Sequence, residues 1–229
     1  MRIFAVESSA KAASVAVCED GVLLGQYFQN HGLTHSVTLM CMARELLRGL
    51  KLTVGNIDIF AAASGPGSFT GIRIGVATVK GLAWGAGKRV CGVSTPEAMA
   101  WLAGGGDRII CPVMDARREQ VYNAKFWRAD AAPVRLCEDR AISIRELVEE
   151  TAAARGGAKI LLTGDAAAIC LPHFLEAGLR ASIAPELVRQ QCAFGVALAA
   201  SRCTPVEPGE LRPNYIRAPQ AEQKRLQAR

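Results

Sequence analysis

Histidine is scarce in this chain: three in 229 residues, at His31, His35 and His173. A serine or cysteine nucleophile therefore has few bases to choose from, and no H-E-x-x-H pair is present for a zinc hydrolase. His31 and His35 are four apart, a spacing that shares one helix face. Gly32 and the expected cap Thr34 stand between them, however, so a two-histidine metal site is not expected. No G-x-S-x-G elbow occurs, since Ser94 in Gly92-Val93-Ser94-Thr95-Pro96 lacks the second glycine. The eight cysteines include no C-x-x-C pair and stand mostly 20 or more residues apart. That spacing argues against a disulfide scaffold and a zinc site. Eight buried or half-buried thiols in a reducing compartment are expected, each acting as a small hydrophobe.

Long apolar runs are missing too. A spanning helix needs about 20 consecutive apolar residues, whereas the uncharged run Ile59–Ile72 has 14 and contains Pro66 and three glycines. Glu7 arrives before any signal core forms. A soluble, cytoplasmic protein is expected.

What is present is ordinary globular material: 50% hydrophobic and 21% charged residues, enough for one large domain or two small ones. The formal net charge of +6 is unevenly placed. From Arg212 onward, Arg212, Arg217, Lys224, Arg225 and Arg229 face only Glu222, a net +4 in 18 residues. Such a tail is either a solvated terminus or an arm for phosphate or an acidic partner.

Residues 2–9, 13–18 and 22–28 read as strands, the last two joined by the turn Glu19-Asp20-Gly21. A helix capped by Thr34 follows, with Val37, Leu39, Met40, Ala43, Leu46, Leu47 and Leu50 at helical spacing. Cys41 and Met42 widen its apolar arc, which therefore needs cover on more than one side, from its own domain or from a partner helix. Strand Ile57–Ala63, helix Ile72–Ala86 and strand Arg89–Val93 form a right-handed crossover, implying a partly parallel sheet. Gly75, Gly81 and Gly85 are poor helix formers and read as sites of close helix packing. Past Gly104-Gly105-Gly106 the pattern restarts. Ile109–Met114 and Val121–Trp127 form a hairpin, Ile144–Arg155 a helix, Lys159–Thr163 a strand, and Pro185–Ser201 an alanine-rich helix. Two α/β lobes are expected, 1–103 and 104–229, with the basic tail packing back on the first.

The Gly65–Gly71 loop lies between a strand and a helix, where backbone N–H groups hold anions. It is no P-loop, because no Lys-Ser or Lys-Thr follows. Nor is it a dinucleotide fingerprint, because Thr70 stands where the third glycine belongs. It is either a tight structural turn or part of a remnant phosphate site with Glu7, Ser8, Ser9, Gly65, Gly67 and Ser68. Glu7 would then hold a cation beside the phosphate. Asp115, Arg117 and Glu119 either face that site across a cleft or shape an exposed turn.

Several strings together resemble the TsaB (YeaZ) family over nearly the whole length. They are RIFAVESSAKAASVAV, SGPGSFTGIRIGVATVKGLAWG, GVSTPEAMA, MDARREQVYNAKF, LLTGDA and PNYIRAP. The resemblance implies the two-lobed actin/sugar-kinase-like (ASKHA) α/β fold, each lobe a mixed sheet with helices. It also implies a non-catalytic scaffold role in transferring a threonylcarbamoyl group to adenosine next to the tRNA anticodon. The implied partners are the catalytic paralogue TsaD and the ATPase TsaE. In that paralogue V-N-H-x-x-G-H supplies two metal-binding histidines; here Thr95 and Met99 take their places. Neither is a good ligand for a hard or borderline ion, so no metal site and no metalloprotease are expected. Pairing through first-lobe helices in a four-helix bundle is implied, pointing to Val37, Met40, Ala43, Leu47, Ile72, Val76, Val79 and Ala83. Two readings stay open. One is a scaffold without a cofactor of its own, ATP and Mg being used by its partners. The other is an ATP/Mg-dependent enzyme using Glu7, the glycine loop and Asp115, although no glycine-rich adenosine loop follows Gly164-Asp165. Contact with tRNA is expected to be indirect or weak. Monomer and homodimer both stay open for the isolated chain, with exposed apolar helices tending to self-associate when the partner is absent.

Overall fold

The computed structural model describes residues 1–32, 34–129, 132–154 and 157–217. The first lobe is built on a five-stranded sheet in the order β3-β2-β1-β4-β5. Its strands are β1 (Arg2–Glu7), β2 (Ala13–Glu19), β3 (Val22–Gln29), β4 (Ile59–Gly65) and β5 (Arg89–Ser94). The first three form an antiparallel meander, while β1, β4 and β5 run parallel. Asp20 and Gly21 both have positive φ, the backbone that a two-residue hairpin turn requires. Alternation along the strands sends Phe4, Val6, Val15, Val17 and Phe60 to one face and Ile3, Ala5, Ala16, Ala61 and Ala63 to the other. Both faces are apolar, so both need helices.

Helices α1 (His35–Gly49) and α2 (Phe69–Ala86) cover the bulky face. Ser68 caps α2, accepting a hydrogen bond from the Gly71 N–H at 3.3 Å, so the helix starts three residues before Ile72. Helices α3 (Thr95–Leu102) and α7 (Ala193–Ala200) cover the alanine-rich face. Small residues on both sides let α7 lie close; a Cβ on Gly195 would strike the Ala98 carbonyl oxygen of α3.

This packing divides the expected partner set. Ala43, Leu47, Ile72, Val76, Val79 and Ala83 are buried in the first-lobe core with Phe4 and Phe60. Of the eight residues only Val37, 70% exposed, and Met40, 48% exposed, face outward. The physical reason is that α1 and α2 turn the centre of their apolar arcs to the same sheet, leaving only the flanks outside. The glycines of α2 divide likewise: Gly75 packs against Ser8, while Gly81 and Gly85 have open space before them.

Among the described residues the second lobe has seven strands: β6 (Arg108–Asp115), β7 (Gln120–Asn123), β8 (Phe126–Arg128), β9 (Val134–Arg135), β10 (Arg140–Ser143), β11 (Lys159–Thr163) and β12 (Ala181–Ile183). Their order is β10-β7-β6-β11-β12, with β8 on β6 and β9 on β8. The stretch Val121–Trp127 is therefore two strands, because β7 pairs with β10 and β8 with β9. Helices α4 (Ile144–Ala153) and α5 (Ala167–Glu176) pack on this sheet; α5 was not expected. Arg155, expected to end α4, lies outside the described residues. The single helix expected over Pro185–Ser201 is instead α6 (Glu186–Arg189) and α7, broken at Gln190–Cys192. The two sheets lie on either side of residue 104, but the chain then returns. α7 covers the first sheet, Val206 bridges Val90, and Leu211 joins the first core. Lys224, Arg225, Arg229 and Glu222 of the basic tail lie outside the described residues. No helix among the described residues is long and apolar enough to cross a membrane.

Candidate functional site

A cleft of about 940 Å3 separates the lobes. Its first-lobe wall is the β1–β2 loop, Ser9 to Lys11, and the glycine loop from Pro66 to Thr70. The second-lobe wall is the β6–β7 hairpin with Arg117, Arg118 and Tyr122, and behind it Asp165. A strap from the C-terminal segment, Asn214–Arg217, closes one side. The Asn214 N–H donates to the Ser64 carbonyl at 2.6 Å, Tyr215 stacks on Phe69 with centroids 4.7 Å apart, and Arg217 donates to the Ala116 carbonyl at 3.1 Å.

The residues expected to form a phosphate site make contacts within the fold, and three of them, Ser9, Gly67 and Ser68, also line the cleft. Glu7 is fully buried and its Oε1 accepts the Ser9 N–H at 2.6 Å. Burial pushes its carboxyl up to about 7, against weaker opposing hydrogen bonds from Ser9 and Ser8. It is not among the residues that line the cleft, and its Oε2 is buried without a hydrogen-bond partner among the described residues. Ser8 donates to the Gly71 carbonyl at 2.9 Å, and Ser68 gives its N–H to the Ser9 carbonyl at 2.6 Å. Gly65 and Gly67 have φ of 126° and 154°, and a Cβ on either would strike the Asn214 or Ser9 carbonyl oxygen. The glycines thus serve close backbone approach, the tight-turn reading.

The other candidates resolve in the same direction. Asp115 Oδ1 accepts the Arg117 N–H at 2.6 Å, and Asp165 Oδ1 accepts the Asp115 N–H at 3.2 Å, which is turn chemistry. Thr95 and Met99 are buried in α3, and Met99 packs against Gly164. His35 Nε2 is paired with the Ala10 carbonyl at 2.9 Å. Among the described residues no group of three or more histidine, cysteine or acidic side chains is placed to hold a metal ion. Burial pushes the Cys18, Cys91, Cys111 and Cys170 thiols up to about 12, so all four stay protonated. Cys41, expected to be at least half-buried, is exposed.

A second surface lies on the outer sides of α1 and α2. A groove of about 470 Å3 runs along Met40, Cys41, Leu52, Val54 and Leu82, edged by Arg44 and Arg48 and floored by the expected partner residues Ala43 and Leu47. Val37 and Trp84, 70% and 64% exposed, flank the same helices. Periodicity found α1 and α2 but not which flank stays outside, and it missed Leu52, Val54, Leu82 and Trp84. Lys11, Arg118, Tyr122 and Tyr215 of the cleft were missed as well. Only the PNYIR string signalled the strap, and that as resemblance.

Comparisons with known proteins agree with this architecture. Residues 31–201 match the family described as TsaD, tRNA N6-adenosine threonylcarbamoyltransferase. The chain is 34% identical over 153 residues to the tRNA threonylcarbamoyladenosine biosynthesis protein TsaB of Escherichia coli (strain K12), covering 66% of this chain and 65% of that one. It is 29% identical over 149 residues to the TsaB of Bacillus subtilis (strain 168), again covering 65% of each. The alignments thus span just under two thirds of those relatives' lengths. A crystal structure from Pseudomonas aeruginosa, described as an uncharacterized protein with similarity to peptidase YeaZ, superposes with a TM-score of 0.77 at 25% identity. It covers 94% of this chain and 99% of that one. The two-lobed ASKHA fold is the fold of this chain.

Proposed function

Because this chain belongs to the TsaB (YeaZ) family, within the wider family described as tRNA N6-adenosine threonylcarbamoyltransferase, we propose that it is a non-catalytic subunit of a tRNA-modifying complex. Its task is to bind and activate a TsaD-type catalytic paralogue that places threonylcarbamoyl on adenosine beside the anticodon, with a TsaE-type ATPase joining them. The observation that carries the reading is the apolar groove on α1 and α2, with Val37, Met40 and Trp84 exposed around it. Exposed apolar area of this kind marks a protein contact. The same face would support self-association when no partner is present.

The cleft supports the reading from the other side. Glu7 is fully buried with its Oε1 taken by the Ser9 N–H, which favours the scaffold reading over one that uses it for ATP and magnesium.

The test is a reconstituted transfer reaction on tRNA with the paralogue and ATPase of the same source. Product is expected only when this chain is added. Val37→Glu plus Met40→Glu, both on exposed positions, is expected to abolish pairing by size-exclusion chromatography while the thermal melt is unchanged. Equal product without the chain, or normal pairing by the double variant, would overturn the proposal.

A further inference from the structure

The mouth of the cleft is strongly and unevenly charged. Lys11, Arg117, Arg118 and Arg217 line it, and none of them forms an ion pair among the described residues. The two carboxylates that line it, Asp115 and Asp165, are held by backbone N–H groups of Arg117 and Asp115 instead. The arginines are presented by an unusual turn. Arg117, Arg118 and Glu119 are three successive non-glycine residues with φ of 62°, 55° and 57°. Each costs on the order of 1 kcal/mol or more relative to right-handed backbone. Aromatic rings lie between the cations. Tyr215, 40% exposed, stacks on Phe69, whose ring carries Arg73 at 4.8 Å, and Tyr122 lies under Arg217 at 5.8 Å.

We infer that this mouth docks the phosphodiester backbone of single-stranded RNA, with Lys11, Arg117, Arg118 and Arg217 on successive phosphates and a base against the Phe69–Tyr215 pair. Cations spaced over three separate segments suit a chain of phosphates better than one compact anion, and aromatic faces between them accept bases of any sequence. Of the glycine loop, the Ser68 N–H is already given to the Ser9 carbonyl and the Gly71 N–H to the Ser68 hydroxyl. The residues beyond Arg217 add Lys224, Arg225 and Arg229 against Glu222 to the same segment of sequence. The choice of RNA among polyanions rests on the function proposed above; the charge geometry is independent of it.

The experiment is fluorescence anisotropy of the full chain with a labelled tRNA anticodon stem-loop, titrated at several salt concentrations. Lys11→Ala plus Arg118→Ala is expected to weaken binding about tenfold and to flatten the log K against log salt slope by about 1.4, two single-strand phosphate contacts at roughly 0.7 each. Arg180→Ala plus Arg202→Ala removes equal charge from exposed positions away from the cleft and is expected to change neither. Tyr215→Ala should weaken binding roughly fivefold at unchanged slope, and Tyr215→Phe should restore it. Equal losses in the two charge-removing variants would reduce the binding to net charge and overturn the inference. Displacement of the RNA by ATP or inorganic pyrophosphate, at ionic strengths where potassium chloride does not displace it, would make the mouth a small-anion site and overturn it too. Cleft variants that still pair with the catalytic paralogue and support transfer, yet bind RNA like the parent, would sink this inference and leave the scaffold function standing.

Discussion

The two ends of α2 use the same residue in opposite ways. At the N-terminal end a Cβ on Gly71 would strike the Ser8 carbonyl oxygen, and one on Gly75 the Ser8 hydroxyl. At the C-terminal end Gly81 and Gly85 have nothing within contact distance, and Trp84 between them is 64% exposed. One end is a joint inside the lobe, where helix, glycine loop and β1–β2 loop share backbone contacts. The other is a smooth outer surface. A glycine-rich helix is therefore not a single feature, and the proposed partner contact involves the end where the glycines meet nothing.

The sharpest way to break the comparison is Gly71→Ala. The clash is with backbone, which cannot rotate away as a side-chain tip would, so the cost should reach the upper range of overpacking, roughly 3 kcal/mol or more. A lowered urea midpoint, or failure to fold, is expected. A midpoint equal to the parent's would mean that the β1–β2 loop slides freely, and the joint would lose its meaning.

Glu7 sharpens the same joint by titration. Its carboxyl is raised by burial to about 7 from an ordinary value of 4.5. A raised folded-state value means that the folded chain holds the proton more tightly than the unfolded one. The stabilisation is full below about pH 4.5 and is lost as the pH rises through about 7. Glu7→Gln removes the need to ionise, so it should be more stable than the parent at pH 8 by up to about 3 kcal/mol. The gain should vanish at pH 4.5. Urea denaturation across that range checks it, and a pH-independent difference would point to altered packing instead.

Much of the fold was legible in the sequence because it is written in local patterns. Strands buried on both faces gave continuous apolar runs, Asp20-Gly21 marked its hairpin, and β4–α2–β5 showed as a crossover. What stayed hidden was non-local. α5 carries Pro172 inside it and runs on because Cys170 and Phe174 lock it into the second core. The break before α7 has neither glycine nor proline. It is made by groups from β2 and β3: the Ser14 hydroxyl accepts the Ala193 N–H at 2.7 Å, and the Gln26 side-chain oxygen accepts from Cys192 Sγ at 2.8 Å and Phe194 N–H at 3.3 Å. A helix cap supplied from another strand leaves no mark near the helix. The candidate site divides in the same way. The conspicuous Glu7 is buried and Gly65, Gly67 and Gly71 meet neighbouring backbone closely, whereas Lys11, Arg118 and Tyr215 come together only through the folded cleft.

The smallest expected effect tests the outer end of α2. Gly81 is exposed, lies in the helix interior and has free space where a Cβ would go. Gly81→Ala should therefore stabilise the isolated chain by about 1 kcal/mol through helix propensity alone. For a chain of this size that raises the melting temperature by roughly 2–4 °C. If a partner helix packs closely on this surface, the same methyl group should weaken pairing, since a tight interface tolerates added volume poorly. Stability and pairing would then move in opposite directions in one variant, a signature that a change confined to the monomer cannot produce. A chain that melts higher and pairs like the parent would place the contact nearer Val37 and Met40, on α1 rather than on α2.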